Sequence, residues 1–312
     1  MRIEQLEHLA AVVQHGSLRR ASEQLHLSQP AVSESLSKLE RELGVTLLDR
    51  RRTGARISRQ GRDLLQHMVG VLEAVDRLRT AAGDQTSAAR VVRLGTVNAA
   101  TATVLVPALR AVQEEAPDLS VEVLTLQQAQ IEAGLLEGSL DLGLVNVLDG
   151  DDTPVELTST DLVRGRPVVV LPHDHPLTER DALTVEDLRA QPFITMRSGY
   201  LMHRFVHRLF GSDLPRQRHV TDGAEMGKVM VADGLGLTVL PDFSVRGDPL
   251  ERAGVLTHRP LRHDRTGVTL VLRQRREART APAVRAVTLA LRETALLAQT
   301  AQTAQTAAAP AE

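Results

Sequence analysis

Residues 17–44 read SLRRASEQLHLSQPAVSESLSKLERELG, and this stretch decides the N-terminal fold. Ser17 can cap a short helix over residues 18–25, with Leu18, Ala21 and Leu25 on one face. His26 and Leu27 turn the chain. Ser28 offers a second cap, and Pro30 falls in the first turn of the next helix, where a missing N–H costs little. That helix runs to Leu43, turning Ala31, Val32, Leu36, Leu39 and Leu43 inward, and Gly44 ends it. A helix-turn-helix of this kind places its second helix in a DNA major groove. The outward side of that helix offers Ser28, Gln29, Ser33, Glu34, Ser37 and Lys38, and Pro30 lies beside them. Gln29 suits the N6/N7 edge of adenine, and Ser33 suits a base or a phosphate. Glu34 either accepts from cytosine N4 or pairs within the protein.

Working outward, Leu6, Leu9, Ala10 and Val13 predict an amphipathic helix over 3–15. Residues 45–57 read as a β-hairpin wing carrying Arg50, Arg51, Arg52 and Arg56. Six arginines and no acid fall between Arg50 and Arg62. Such residues contact phosphates or enter a narrowed minor groove. The winged helix-turn-helix thus spans 1–58. A long helix follows over 59–82, with stripes at spacing seven: Leu64, Val71, Leu78 and Met68, Val75, Ala82. A lone heptad seam calls for a partner helix, so Leu64, Met68, Val71, Val75 and Leu78 are the expected dimer seam. The alternative is packing on its own domain. Residues 83–90 (GDQTSAAR) read as a hinge.

Composition sets the outer limits. The 312 residues predict about two domains. No cysteine is present, which excludes disulfides, thiolate catalysis, iron–sulfur clusters and cysteine zinc sites. Aromatics make up 2%, so the core is aliphatic and base stacking is poorly supported. No apolar run reaches membrane-spanning length and the N-terminus lacks a secretory pattern, so no membrane partner and a cytoplasmic location are expected. The net charge of −2 hides an asymmetry. Residues 1–62 carry 11 Lys/Arg against seven Asp/Glu, and the remainder carries 26 against 32. A basic head on an acidic body fits contact with double-stranded DNA at one end.

From Val91 strands and helices alternate: strands at 91–97, 120–126 and 140–147, and helices at 101–115 and 131–137. This predicts βαβ units and a parallel sheet. Further strands are expected at 168–171, 193–195, 236–240 and 266–272. The last helix is placed at 282–296, followed by a low-complexity tail over 297–312.

Several pieces together resemble LysR-type transcriptional regulators: Gly16-Ser17, Ala21, Leu25, Ser28-Gln29-Pro30-Ala31-Val32-Ser33, Leu39-Glu40, Leu43-Gly44, Leu47, Arg50 and Gly61. The likeness extends to LEGSLDLGLV (136–145), LPHDHPL (171–177) and VADGLGLTVLP (231–241), so it covers the whole chain except the tail. Leu18 and Leu48 stand where the family usually has Phe, Arg20 where it usually has Ala and Ser58 where Thr is common; the first two read as aliphatic repacking.

The resemblance implies an α/β effector domain over 91–296, built of two subdomains like type 2 periplasmic binding proteins. Subdomain I would take 91–160 and 266–296, and subdomain II 161–265. It implies a small-molecule effector in the cleft between them, near Thr96, Asn98, Thr101, Gln127, Gln128, Asn146, Arg197, Ser198, Tyr200, Thr221 and Asp222. Arg197 is the natural partner of an effector carboxylate. A homodimer, further association to a tetramer, and contact with RNA polymerase in the case of an activator complete the expectation. No cofactor, metal or catalytic residue is expected. His173 and His175 around Asp174, and His203 and His207 at helical spacing, lack a third ligand. An α/β solute-binding or enzymatic domain with an incidental head is the competing class; an enzyme would turn its ligand over. A ligand-independent regulator is a third, and it predicts a plugged cleft.

Overall fold

The computed structural model describes residues 1–51, 54–83, 91–215, 217–276 and 280–308, which fall into two compact units, Met1–Ser87 and Ala88–Glu312. Arg52, residues 84–90, and the side chains of Arg50, Arg51, Arg56 and Leu78 lie outside the described residues.

The first unit runs α1 (Ile3–His15), α2 (Leu18–Gln24), α3 (Gln29–Leu43), the hairpin β1 (Leu48–Arg51) and β2 (Gly54–Ile57), and α4 (Arg59–Gly83). Ser17 and Ser28 cap α2 and α3 by accepting from the backbone N–H of Arg20 and Ala31. Gly16 and Gly44 end α1 and α3 at φ of 62° and 70°, a conformation that favours glycine. The core joins Leu6, Leu9 and Val12 of α1 to Ala21, Val32, Leu36, Leu39, Leu47, Leu48 and Met68. Two expected core positions differ: Ala31 and Leu43 are exposed. The buried stripe is Val32, Leu36 and Leu39 at i, i+4 and i+7; Ala31 sits in the opening turn and Leu43 at the end, both past its edges. In α1, Val12 takes the buried place, while Ala10 and Val13 are half-buried.

The wing is anchored by polar clamps. The Glu40 carboxylate accepts from the N–H of Leu47 (2.8 Å) and Leu48 (3.1 Å). The Ser58 hydroxyl donates to the Thr46 carbonyl and accepts from the N–H of Gly61 at 2.9 Å. Gly61 presses so close that a Cβ there would lie 2.4 Å from the Leu47 carbonyl oxygen. On α4, Met68 is buried, Leu64, Leu72 and Val75 are half-buried, and Val71 is exposed.

The second unit opens with β3 (Val91–Thr96), a π turn at Thr101–Leu105, α5 (Val106–Glu115), β4 (Ser120–Thr125), α6 (Gln128–Glu137) and β5 (Leu142–Leu148). Then come β6 (Leu157–Gly165), β7 (Pro167–Pro172), α7 (Val185–Arg189), β8 (Phe193–Met196), α8 (Leu201–Phe210) and β9 (Gln217–Thr221). It finishes with α9 (Gly223–Ala232), β10 (Thr238–Pro241), α10 (Pro249–Arg252), β11 (Leu256–Pro260), β12 (Val268–Arg275) and α11 (Pro282–Ala308).

Two lobes result. The first holds a five-stranded sheet in the order β4-β3-β5-β12-β6. β3 is parallel to β4 and β5, but β12 runs antiparallel to both β5 and β6. The expected parallel sheet is therefore mixed, because β12 returns from the second lobe. That lobe holds β10-β7-β11, all antiparallel, and the parallel pair β8-β9. A bridge from Phe193 to Leu237 joins the two pieces, with the Ile194 N–H donating to the Leu237 carbonyl at 2.8 Å. The chain crosses between lobes at Arg166 and again between Pro260 and Val268. The last helix does not stop at Leu296 but runs to Ala308, since the Ala-Gln-Thr repeat contains good helix formers. Among the described residues, no helix is long and apolar enough to cross a membrane.

Gly61→Ala must push Leu47 away, and we expect it to destabilise the first unit by about 1–3 kcal/mol. Gly70→Ala, on the same helix with nothing within 4 Å of its Cβ position, should instead be neutral or stabilising by up to about 1 kcal/mol. Thermal melting of the two variants checks this pair.

Candidate functional site

On the first unit, the outward face of α3 presents Ser28, Gln29 and Pro30 at its exposed N-terminal end. Gln5 donates its amide to the Ser35 carbonyl at 3.3 Å, and His8 Nδ1 lies 2.8 Å from the Ser35 hydroxyl, so α1 holds the rear of α3. Ser33 and Ser37 are half-buried, and the Ser37 hydroxyl donates back to the Ser33 carbonyl at 2.9 Å. Glu34 pairs with Lys38 at 2.8 Å on the exposed side. The hydrogen bond from Lys38 and then its charge hold the Glu34 carboxyl below the usual range. Of the two roles open to Glu34, the geometry shows the intraprotein pair. In the wing, Arg50 stands opposite Ala55 and Arg56 opposite Asp49.

On the second unit, the two lobes face each other across a cavity of about 400 Å³ whose walls leave free room for about one water molecule. The first lobe supplies Val97, Asn98 and Ala99 after β3, Gln128 of α6 and Asn146 of β5. Asn98 and Ala100 both sit at positive φ, 55° and 52°, an uncommon and strained state without glycine. The loop is pinned on each side. The Asn98 N–H donates to Thr96 Oγ1 at 3.1 Å, Thr125 donates to Asn98 Oδ1 at 3.2 Å, and the Ala100 N–H donates to Ser244 Oγ at 3.3 Å. The second lobe supplies Met196, the Gly199–Met202 stretch, Gly223, Ala224, Leu240, Pro241 and Ser244.

No charged side chain lines this cavity among the described residues. Its polarity comes from elsewhere. The first turns of α8 (Leu201, Met202) and α9 (Gly223, Ala224) form part of the wall, and their caps, Tyr200 and Asp222, make no side-chain capping bond. Backbone N–H groups and the positive ends of two helix dipoles therefore face this region. Asn146 is 6% exposed, and its Oδ1 is buried without a hydrogen-bond partner among the described residues. Tyr200 reaches the wall with its phenol pKa raised, first by burial and then by the Asp222 charge, against the opposing Arg197.

The mouth of the cleft is tied shut. Gln127 donates its amide across it to the Ser198 carbonyl at 3.1 Å. Arg204 of α8 pairs with Asp151 of the first lobe at 2.5 Å. Near the crossings, Thr103 donates to the Phe243 carbonyl at 3.2 Å.

Of the residues singled out from sequence, Asn98, Gln128, Asn146 and Tyr200 line the cavity. Arg197 does not; it lies 3.2 Å from Asp222 in an exposed ion pair. Thr96 and Thr221 are buried beside the wall, and Thr96 supports Asn98. Thr101 opens the π turn with its hydroxyl oxygen buried and without a hydrogen-bond partner among the described residues. Gln127 is a cross-cleft tie, and Ser198 opens on an outer groove with His203, Arg204 and His207. The apolar wall and Ser244 escaped the sequence reading, which sought polar residues at strand ends. The signal present was the Leu240-Pro241 end of a strand followed at once by a polar turn. His203 and His207 lie with ring centroids 4.2 Å apart and their planes tilted by 39°, and burial followed by the His207 charge lowers the His203 pKa. No group of three metal-ligating side chains occurs among the described residues.

Comparison with known proteins gives two family matches. The LysR substrate binding domain matches residues 85–296, and the bacterial regulatory helix-turn-helix protein of the lysR family matches residues 3–62. AlsR, an HTH-type transcriptional regulator of Bacillus subtilis, is 28% identical over 204 residues, 63% of this chain and 64% of that protein, just short of two thirds. HcaR, the Hca operon transcriptional activator of Escherichia coli, is 28% identical over 249 residues, 78% of this chain and 82% of that one. Full-length CbnR complexed with its target DNA superposes with a TM-score of 0.66 at 20% identity, covering 94% of this chain and 100% of that chain, a likeness of fold.

Gly199 has φ of +98°, and a Cβ there would lie 2.4 Å from Gln127 Oε1. Gly199→Ala should lower stability by about 1–3 kcal/mol in thermal melts through the backbone strain. Adding Gln127→Ala should relieve the contact and recover only part of that loss, since the strain at φ remains.

Proposed function

This chain belongs to the LysR family of transcriptional regulators, a DNA-binding regulator with an effector-binding domain and not an enzyme, and from that premise we propose that a small organic anion in the cleft modulates its promoter binding or activation. The observation that carries the reading is the pair of helix N-termini, α8 and α9, uncapped by side chains and meeting at a cavity with no charged lining. Such termini hold carboxylates through backbone N–H groups and dipoles. Arg197 is engaged by Asp222, so the carboxylate is held by backbone rather than by that guanidinium. The unpartnered Asn146 Oδ1 calls for an O–H or N–H on the same ligand. The effector is thus a small carboxylate bearing a hydrogen-bond donor.

At the other end, Ser28, Gln29, Pro30, Ser33, Ser37 and Lys38 approach DNA from α3, with Gln29 the base reader. Arg50, Arg51, Arg52 and Arg56 of the wing hold phosphates. Helix α4 pairs two chains along the stripe of Leu64, Met68, Val71, Val75 and Leu78; Met68 is already buried in the head's own core and Leu64 packs against it, so the pairing rests on the rest of the stripe, where Val71 is exposed in the single chain. Two heads then address a dyad. Effector domains associate further, toward a tetramer, and ligand changes the angle between heads. RNA polymerase is the further partner if the chain activates. For the ligand to act, it must bind the two states with different affinity.

One observation favours a second reading. The cavity has room for about one water in this conformation, as a ligand-independent regulator would have. Footprinting on the chain's own upstream region with a panel of carboxylates separates the two. A dyad whose protected extent changes with one carboxylate supports the sensor; protection that never changes with any of them supports the ligand-independent regulator.

Three variants test the parts. Gln29→Ala should cost about 1–3 kcal/mol of discrimination between operator and random DNA; equal weakening on both would remove base readout. Arg50→Ala should weaken both and reduce the salt slope of binding by about one, as measured by anisotropy titrations across salt. Val71→Glu should shift the protein toward monomer in sedimentation, and an intact dimer would reject the seam.

A further inference from the structure

A second concavity lies on the second unit where the two lobes are joined. It is a groove of about 1420 Å³, and both crossing segments form its walls. Gly165 to Val168 come from the first crossing, and Pro260, Leu261, Asp264, Arg265 and Gly267 from the second. Four arginines and three aspartates line it. Most of these are already engaged. Arg164 holds Asp149 at 3.2 Å. Asp242 accepts from the Arg166 backbone N–H at 3.1 Å and faces Arg246 at 3.8 Å. Asp264 accepts from the Thr266 hydroxyl at 2.8 Å. Two guanidinium groups are left over. Arg166 and Arg265 are exposed, and among the described residues neither side chain has an acidic or hydrogen-bonding partner.

The placement of these two side chains matters. Arg166 stands on one crossing and Arg265 on the other, and the crossings are the covalent joints between the lobes. The turn Asp242–Ser244 separates the groove from the cavity: Asp242 lines the groove, whereas Pro241 and Ser244 line the cavity. Asp242 grips the first crossing from both sides, since its own N–H donates to the Arg166 carbonyl at 2.9 Å. Gly165 permits this grip, because a Cβ there would meet Asp242 Oδ1 at 1.9 Å. Any ligand that draws Arg166 and Arg265 together pulls on both joints and on the turn that forms the rear of the cavity.

We propose that this groove is a second ligand site, distinct from the cleft, for a small molecule with two or more anionic groups, and that its occupancy sets the angle between the lobes. Guanidinium groups favour phosphate and carboxylate oxygens through paired, charge-assisted hydrogen bonds. Two unpaired guanidinium groups on separate segments select a ligand with two anionic ends over a monoanion. Phosphate esters and polycarboxylates share that chemistry.

The test is isothermal titration of the full-length protein with inorganic pyrophosphate, with citrate and with acetate at matched ionic strength. Saturable binding of pyrophosphate, citrate or both, with none for acetate, is expected. The double variant Arg166→Gln/Arg265→Gln should weaken that binding at least about tenfold while leaving the melting temperature unchanged, because both side chains are exposed and neither makes an ion pair or hydrogen bond among the described residues. Preference for pyrophosphate assigns a phosphorylated ligand, and preference for citrate a polycarboxylate. The same polyanion should alter operator affinity in the wild type and not in the variant. No saturable binding of either polyanion, or equal affinity in the variant, overturns the proposal. The readout is direct binding at the groove, so it stands or fails independently of the effector assigned to the cleft; Asn146→Leu, which alters only the cleft, should leave pyrophosphate and citrate binding as it was.

Discussion

Everything in the second unit depends on where β12 is inserted. It lies antiparallel between β5 and β6, with Val268 to Arg273 buried. A strand in that position must arrive from outside the first lobe, so the chain has to leave through β6, build a second sheet and come back. That single pairing creates two lobes, two crossings, a cleft on one side of the joints and a groove beside them. It also fixes the cleft wall. The Arg273 guanidinium is fully buried, which is costly unless it is paired. It bonds Glu132 of α6, and Glu132 in turn accepts from the Gln128 amide at 2.8 Å. Gln128 is a cavity residue, so β12 is tied to the cavity wall through two hydrogen bonds.

The second lobe repeats this logic with another buried cation. Lys228 is 1% exposed and is enclosed by Asp248, Glu225 and the Ser244 carbonyl. Ser244 faces the cavity and accepts from Ala100 of the first lobe. Both buried cations are neutralised by carboxylates one layer behind the wall. Neither presents its charge to the cavity. The field there is left to the backbone, where helix N-termini dominate. Arg197 sits at the expected loop, but it is engaged by Asp222 at the start of α9 and does not line the cavity.

What the sequence made legible divides along the distance of the contacts. In the head, caps, glycine stops and apolar stripes are local, so α1, α2 and α3 appear within a residue or two of their expected ends, and the hairpin ends where expected at Ile57 but begins three residues late, at Leu48. The exceptions, Ala31 and Leu43, lie at the ends of α3, where core boundaries are set by neighbours rather than by periodicity. In the second unit, β3, β5 and β7 are largely buried and read as apolar runs, while β4, an edge strand with no buried residue, was legible from its alternating valines and its place between two helices. β6 was not legible, because its residues alternate between burial and exposure at a sheet edge and include Thr158, Ser159, Thr160 and Asp161. β9 and β11 carry Arg or His in short segments and read as loop. The antiparallel sense of β12 depends on a partner more than a hundred residues away in sequence, which no local pattern encodes. Asn98, Gln128, Asn146 and Tyr200 were legible as polar residues at loop ends. Their apolar neighbours were not, since an aliphatic cavity wall and an aliphatic core look alike in sequence.

The strength of the ties across the cleft mouth decides how such a structure can respond. Gln127 to Ser198 is a partly exposed hydrogen bond, and Arg204 to Asp151 is an ion pair with Arg204 largely in water. Pairs of this kind contribute about 0–1 kcal/mol each. The closed arrangement is therefore held at the mouth by little. Carrying a two-state equilibrium from one extreme to the other takes about 5.5 kcal/mol of differential binding. A cleft closed by strong buried pairs would demand more than a small effector can supply. Weak ties at the mouth and firm, buried ones behind the wall place the balance within reach of a ligand that makes only a few hydrogen bonds.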